Sequence, residues 1–483
     1  MDQSDLCFTS ATELAALVRR GDLSPVQLVA AVLDRIERYD ADLNAFCVVL
    51  AEQARNAAAM AERKVAQGAP LGPLHGVPVS IKDVTAVQGV ALAMGSRALS
   101  GDVAAEDAVV VSRLREAGAI VIGKTTTPEF GCKAVTDSQL DGVTRNPWRR
   151  THIAGGSSGG AAVAVASGMG PLAEGTDGAG SVRIPASCCG VVGMKPSLGR
   201  VPIYPRNGFE TTSHEGPIAR TVADAALMLD VISGPDHRDM FSLPASDTRF
   251  AHAVPGADVR GWRIAYAHSL DGNPVLAVVS ELTDRAVARF VDCDADVVQD
   301  APVIPDPRAA MGRMCDVVFG SWAHDHARPR LDSEEDMDPH LLAMMRRGNR
   351  LSAFAYYRDA VELRSQLFIA IQRFFEDYDL LVTPTLGTPP FVQPGGPAGP
   401  TELDGIAIDP FLGWTQTYLC NLTGHPAISL PCGFTADGLP VGLQLIGRRH
   451  ADAAVLQAAA AFEAAAPWSH IRPPQPPDAE GSS

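Results

Sequence analysis

Long apolar runs are missing from this sequence. The best candidate, Ala161 to Ala173, is short and broken by Gly168 and Gly170, whereas a membrane-spanning helix needs roughly 18 or more predominantly apolar residues in a row. No membrane span is therefore expected. The opening stretch, Met1 to Ser10, is acidic and lacks the basic and apolar regions of a secretion signal, so neither a leader nor a membrane anchor is expected there. CxxC pairs are missing too: nine cysteines, an odd number, are scattered from Cys7 to Cys432 with only Cys188 and Cys189 adjacent. That pattern fits reduced thiols in a cytoplasm rather than a disulfide framework. There is no basic stripe, and the net charge of −16 comes from scattered acids. This argues for solubility and against nucleic acid as a partner.

What is present is the composition of a globular protein with ample core: 483 residues, 46% hydrophobic and 20% charged. Ser10 with Glu13, and Ser24 with Pro25 and Gln27, read as capping boxes opening two helices, the first closed by Gly21. An Ala-rich helix follows to about Ala66. The runs Val77 to Ile81 and Ala119 to Ile122 read as buried strands, as do 427–434 and 441–447. Helices are expected over 221–233 and 451–465, and a Pro/Gly-rich loop from Thr383 to Pro400. No repeat or linker divides the chain. The expectation is one α/β domain over residues 1–472 with a Gly/Ser-rich core at about 75–221, and a disordered tail over 473–483.

Several local patterns suggest chemistry that their context rejects. Gly118 to Thr125 matches a P-loop letter for letter, but a phosphate cradle needs a loop between its glycines and a helix after its Thr. Here Ala119 to Ile122 is strand-like and Pro128 follows at once, so Lys124 is expected to be structural. Gly155-Gly156-Ser157-Ser158-Gly159 matches the nucleophile elbow of α/β-hydrolases, yet Asn146 to Ile153, with its Pro and paired arginines, makes a poor preceding strand. An esterase using Ser157 with a later histidine such as His425 stays as an alternative. His324 and His326 would share a face on a strand but lack an identifiable third metal ligand. Met311, Met314, Cys315, Val318 and Trp322 form an apolar helical stripe, for which core packing is the default and a pocket the minority reading.

Three segments are harder to dismiss together: Gly76 to Asp83, Gly155 to Gly160, and Gly175 to Ser187. Their combination resembles the amidase signature family, and the likeness continues through Cys189 to Ser197, Gly199 to Pro202, Gly216 to Thr221, Thr383 to Thr385 and Gly424 to Ser429. The resemblance implies a mixed central sheet flanked by helices in a single α/β domain. It also implies a triad in which Lys82 is the base, Ser157 the bridging serine, preceded by a cis peptide bond, and Ser181 the nucleophile, with Ser158 structural. The backbone N–H groups of Gly178, Ala179, Gly180 and Ser181 would receive the oxyanion. Where relatives carry Asp-Thr-Gly-Gly-Ser, this chain reads Asp177-Gly178-Ala179-Gly180-Ser181, so the turn must accept a methyl group at Ala179.

The chemistry makes a demand of its own. A lysine with a pKa of about 10.4 cannot take a proton from serine at neutral pH. Lys82 must be neutral, and burial at the end of an apolar strand can lower such a pKa by up to roughly 3 to 5 units. Asp83 would oppose this if it faced the amine, and it is expected not to. No metal or organic cofactor is needed.

By resemblance, Asp336 to Tyr357 looks like free-standing amidases and lacks the arginine-rich text of glutamine-handling subunits. Asp177 to Ser181 with His214-Glu215-Gly216 is similar to hydrolases of nylon-type oligoamides and to carbamate-accepting amidases. The expected substrate is a small-molecule amide with an apolar or aryl portion, with esters and carbamates as further substrates. A partner-dependent amidotransferase subunit is the class-level rival, and a homodimer is left open.

Overall fold

A computed structural model of the chain describes residues 3–204, 211–245, 247–393 and 398–474. The segments with apolar text and few helix formers line up as one mixed sheet of eleven strands. In chain order these are β1 (Phe46–Val49), β2 (Pro78–Lys82), β3 (Ile120–Thr125), β4 (Leu172–Asp177), β5 (Val192–Lys195), β6 (His214–Ala219), β7 (Arg263–Tyr266), β8 (Asp296–Gln299), β9 (Leu380–Pro384), β10 (Ala427–Phe434) and β11 (Pro440–Gly447). Their order across the sheet is β1-β3-β2-β4-β6-β5-β10-β11-β9-β7-β8. The centre is parallel from β3 through β2 to β4, and antiparallel from β4 through β11. Strands from both ends of the sequence are neighbours in this sheet, which is why no linker divides the chain.

β2, β3, β4 and β6 are buried along their whole length, as strands covered by helices on both faces must be. The helix Gly159–Ala166 is buried all round. Its Gly, Ala and Val side chains let it lie deep in the domain, and its N-terminus brings Ser157 and Ser158 to the sheet. Ser10 and Ser24 cap their helices through Glu13 N–H and through Val26 and Gln27 N–H, and Gly21 closes the first helix in the left-handed conformation. The buried Asp224 carboxylate also accepts Ala11 N–H and Thr12 N–H at 2.9 and 2.8 Å, fastening that first helix to the helix Val222–Ile232.

The strands expected at 427–434 and 441–447 are present, and Lys82 is the last residue of β2. The span expected as a loop from Thr383 begins inside β9, where the Leu380–Pro384 strand pairs with β11. Pro384 is tolerated there at the strand's end. Lys124 lies within β3 and donates to Asp83 at 2.8 Å, both side chains buried. The strand and this ion pair are incompatible with a phosphate loop. Most of the expected tail, 475–483, lies outside the described residues. Among the described residues no helix is long and apolar enough to cross a membrane.

Candidate active site

Lys82, Ser157 and Ser181 come from three separate segments; Ser157 and Ser181 line one cavity, and Lys82 reaches Ser157 from behind its wall. β2 delivers the lysine. The glycine-rich turn before Gly159–Ala166 delivers Ser157, through a cis Gly156–Ser157 peptide bond. The loop between β4 and the helix Arg183–Cys189 delivers Ser181. Lys82 Nζ lies 2.6 Å from Ser157 Oγ and 2.8 Å from Thr176 Oγ1, fully enclosed. Burial pulls its pKa down to about 7, against the opposing pull of Glu174 and Asp177. Asp83 is turned away onto Lys124.

The glycine-rich turn is pinned from both sides. Thr136 Oγ1 donates to Gly155 O at 2.8 Å and accepts Gly159 N–H at 3.1 Å. Ser158 is buried, its hydroxyl donating to Thr176 O and its N–H to Ser181 O, both at 3.1 Å. It ties the two serine-bearing loops together. Gly131, at φ +71°, backs onto the pair: a Cβ there would stand 3.1 Å from Ser157 Oγ.

The loop carrying Ser181 is built around a buried carboxylate. Asp177 accepts from Arg183 Nε and Nη2 at 3.0 and 2.8 Å, from Asn421 Nδ2 at 2.8 Å, and from the N–H groups of Gly180 and Val182 at 2.8 and 3.1 Å. Burial alone would raise its pKa, but the Arg183 guanidinium and the Asn421 amide hold it well below the usual carboxylate range. Arg183 is satisfied in turn by Thr417 O, Gln444 and Asn421.

This geometry corrects one expectation. Gly180 N–H is committed to Asp177, so it points away from any oxyanion. The N–H groups of Gly178, Ala179 and Ser181 have no acceptor among the described residues and are free to face the cavity. Ala179 is absent from the positive-φ residues, so its methyl group is accommodated without strain, while φ reaches +121° at Gly180. A Cβ at Gly180 would sit 2.0 Å from Thr417 Oγ1, the hydroxyl that donates to Ala179 O at 2.7 Å.

The cavity spans about 790 Å³ including the part open to solvent, and its apolar and aromatic walls are formed by Phe130, Trp322, Phe319, Phe411, Val318 and Met94. Phe130 and Trp322 meet edge to face, ring centres 5.7 Å apart. The apolar stripe on the helix Pro307–Trp322 therefore divides: Met311 and Met314 pack in the core, while Cys315, Val318 and Trp322 line the cavity. His324 and His326 sit in a helical turn after that helix, not on a strand, and both are exposed. His324 bonds Asp325, and His326 lies against Trp322. His214 and His425 have their hydrogen-bonded ring nitrogens on Thr212 O and Thr423 Oγ1, and among the described residues no histidine hydrogen-bonds Ser157. That removes the imidazole an elbow-type esterase would use.

Glu174, Thr176, Arg183, Thr417, Asn421 and the aromatic walls had no assigned role in the sequence. Glu174, Thr176 and Arg183 lie in or beside the glycine-rich segment from Gly175 to Ser187, where their buried neighbours could have drawn attention. Thr417, Asn421 and the aromatic residues come from distant stretches without a motif.

Comparison with known proteins places this arrangement. A family model described as Amidase matches residues 27–456. The chain is 41% identical over 480 residues to an acylamidase of Rhodococcus erythropolis, covering 98% of each chain. It is 37% identical over 494 residues to a glutamyl-tRNA(Gln) amidotransferase subunit of Moorella thermoacetica, covering 97% of this chain and 99% of that one. Among solved structures it is similar to a bacterial aryl acylamidase of the amidase signature family, with a TM-score of 0.90 and 36% identity, covering 96% of this chain and 97% of that one.

The Asp177–Arg183 pair gives a direct stability test. Arg183→Met leaves a buried carboxylate without its cation, and unfolding in urea should show a loss of about 3 to 5 kcal/mol. Adding Asp177→Asn should recover part of that loss. An Arg183→Met protein as stable as the parent would show that the pair does not hold the loop.

Proposed function

Because the chain belongs to the amidase signature family, we propose that Ser181 is the nucleophile with which it cleaves its amides, activated by Lys82 through Ser157. The chain is a hydrolase of carbon–nitrogen bonds in amides. The single observation that carries the assignment of roles is the 2.6 Å contact between a buried Lys82 amine and Ser157 Oγ, on the wall of the cavity that Ser181 also lines.

In the proposed reaction Lys82 starts neutral. It takes the Ser157 hydroxyl proton as Ser157 takes that of Ser181, and Ser181 Oγ bonds to the substrate carbonyl carbon. Charge gathers on the carbonyl oxygen, which the N–H groups of Gly178, Ala179 and Ser181 receive. Each such donor typically contributes about 2.7 to 4 kcal/mol of transition-state stabilisation. Ser157 then passes its proton to the leaving nitrogen and recovers one from Lys82, and water releases the acyl group by the same relay. Thr176 accepts a hydrogen bond from Nζ at 2.8 Å and so steers the amine toward Ser157.

The aromatic walls and the similarity to acylamidases favour a small amide with an aryl or apolar group. Esters and carbamates present a carbonyl to the same donors and are proposed as further substrates. Kinship with an amidotransferase component supports a second, weaker reading, in which the chain works only with partners.

Purified chain alone should hydrolyse an aryl amide, and a fluorophosphonate should label Ser181. Ser181→Ala should abolish both while leaving the thermal melt unchanged. Inertness of the pure chain would favour the partner-dependent reading, and an adduct found on Ser157 by mass spectrometry would overturn the nucleophile. Ser157→Ala separates the bridging role from a merely structural one. Its kcat/KM should fall at least about tenfold further for an amide than for a matched p-nitrophenyl ester, because an amine must be protonated to leave and a phenolate need not be. Equal losses would remove Ser157 as the proton donor.

A further inference from the structure

β2 and β4 run side by side only as far as Ser80, paired as Val79 with Leu172 and Ser80 with Ala173. On its other edge β2 stays paired to β3 through Lys82 and Thr125. Where β4 parts from β2, the Lys82 N–H would be left without an acceptor inside the protein. The side chain of Glu174 fills that gap: Oε2 accepts Lys82 N–H at 3.0 Å and Oε1 accepts the Thr85 hydroxyl at 3.0 Å. Glu174 is completely enclosed. It stands two residues before Thr176 on β4 and therefore on the same face of the strand, the face that meets the Lys82 amine.

A buried carboxylate is a costly way to satisfy one N–H and one hydroxyl, since a neutral amide would serve both. What the amide would lack is charge. We propose that Glu174 is a positioning residue for the reaction, holding the Lys82 main chain where the strands separate and fixing by its charge how readily the Lys82 amine carries a proton. This rests on the reading of Lys82 as the base.

The groups that act on Glu174 come from the neighbouring strands, Lys82 on β2, Lys124 on β3 and Glu215 on β6, while Asp177 acts on the Lys82 amine. Burial pushes the Glu174 carboxyl up, and Lys82 and Lys124 pull it back. Burial, and after it the Glu174 carboxylate, push the Glu215 carboxyl well up. Glu174 also opposes the loss of the Lys82 proton more strongly than Asp177 does. The arrangement keeps the amine from becoming too weak a base to take a serine proton, at the cost of requiring a higher pH to free it.

The test is the acidic limb of kcat/KM on an aryl amide, measured for the parent, Lys82→Ala, Glu174→Gln and Glu174→Asp. Gln can keep both contacts without charge, its oxygen accepting Lys82 N–H and its NH2 donating to the Thr85 hydroxyl, so the limb should move to lower pH by roughly one unit with KM unchanged. Asp keeps the charge but cannot span both partners, so kcat should fall at least about fivefold with the limb in place. The Asp variant also covers the case in which Gln does not fold. A limb that vanishes in Lys82→Ala but stays put in Glu174→Gln, or a Glu174→Asp enzyme with parental kcat, would overturn the proposal while leaving Lys82 as base. A limb that persists unchanged in Lys82→Ala would instead overturn the base and this inference with it.

Discussion

An amine taken out of water gives up its proton readily unless a nearby negative charge holds it, and the surroundings of Lys82 follow from that constraint. Burial supplies the push and Glu174 and Asp177 the restraint. Burial alone does not set Lys82 apart, since two other lysines are enclosed as well. Lys124 is committed to the Asp83 carboxylate, and Lys195, whose pKa burial also lowers to about 7, donates to Pro196 O. Among the described residues only Lys82 combines a depressed pKa with a serine hydroxyl on a cavity wall.

The second requirement is a backbone turn that presents N–H groups to a cavity. Asp177 takes the N–H groups of Gly180 and Val182 to the inside of the loop, and the proposed reaction draws its oxyanion donors from the N–H groups that remain. Its own charge is balanced by Arg183, and Arg183 in turn gathers Thr417, Asn421 and Gln444 from the C-terminal part of the chain. The loop is thereby fixed by β11, which carries Gln444, and by the helix Leu419–Thr423 with the residues just before it. In the proposed reaction a donor array held this way needs no reorganisation as charge develops, and that is where its catalytic value would come from.

Local physics made much of this legible in the sequence. Lys82 ends an apolar strand because Val77 to Ile81 have nowhere to go but the core, and Ser10, Gly21 and Ser24 cap helices through contacts within a few residues. The glycine and serine segments are recognisable because their close backbone approaches exclude most other residues. Contacts that depend on the assembled sheet were not legible. Nothing local in Asn421 or Thr417 announces a partner more than 200 residues away, and the commitment of Gly180 N–H to Asp177 is a matter of loop geometry. The stripe from Met311 to Trp322 has one periodicity but two fates, since only its end reaches the cavity.

On the proposed mechanism the aromatic cavity selects the substrate and the relay sets the pH at which any substrate reacts. The relay requires a neutral lysine, and that state can be observed directly. NMR of protein labelled at lysine 13Cε and 15Nζ, with the Lys82 signal identified by its absence in Lys82→Ala, should show that amine titrating near 7. A Lys82 signal that remains an ammonium until about pH 10, as a solvated lysine does, would contradict the account.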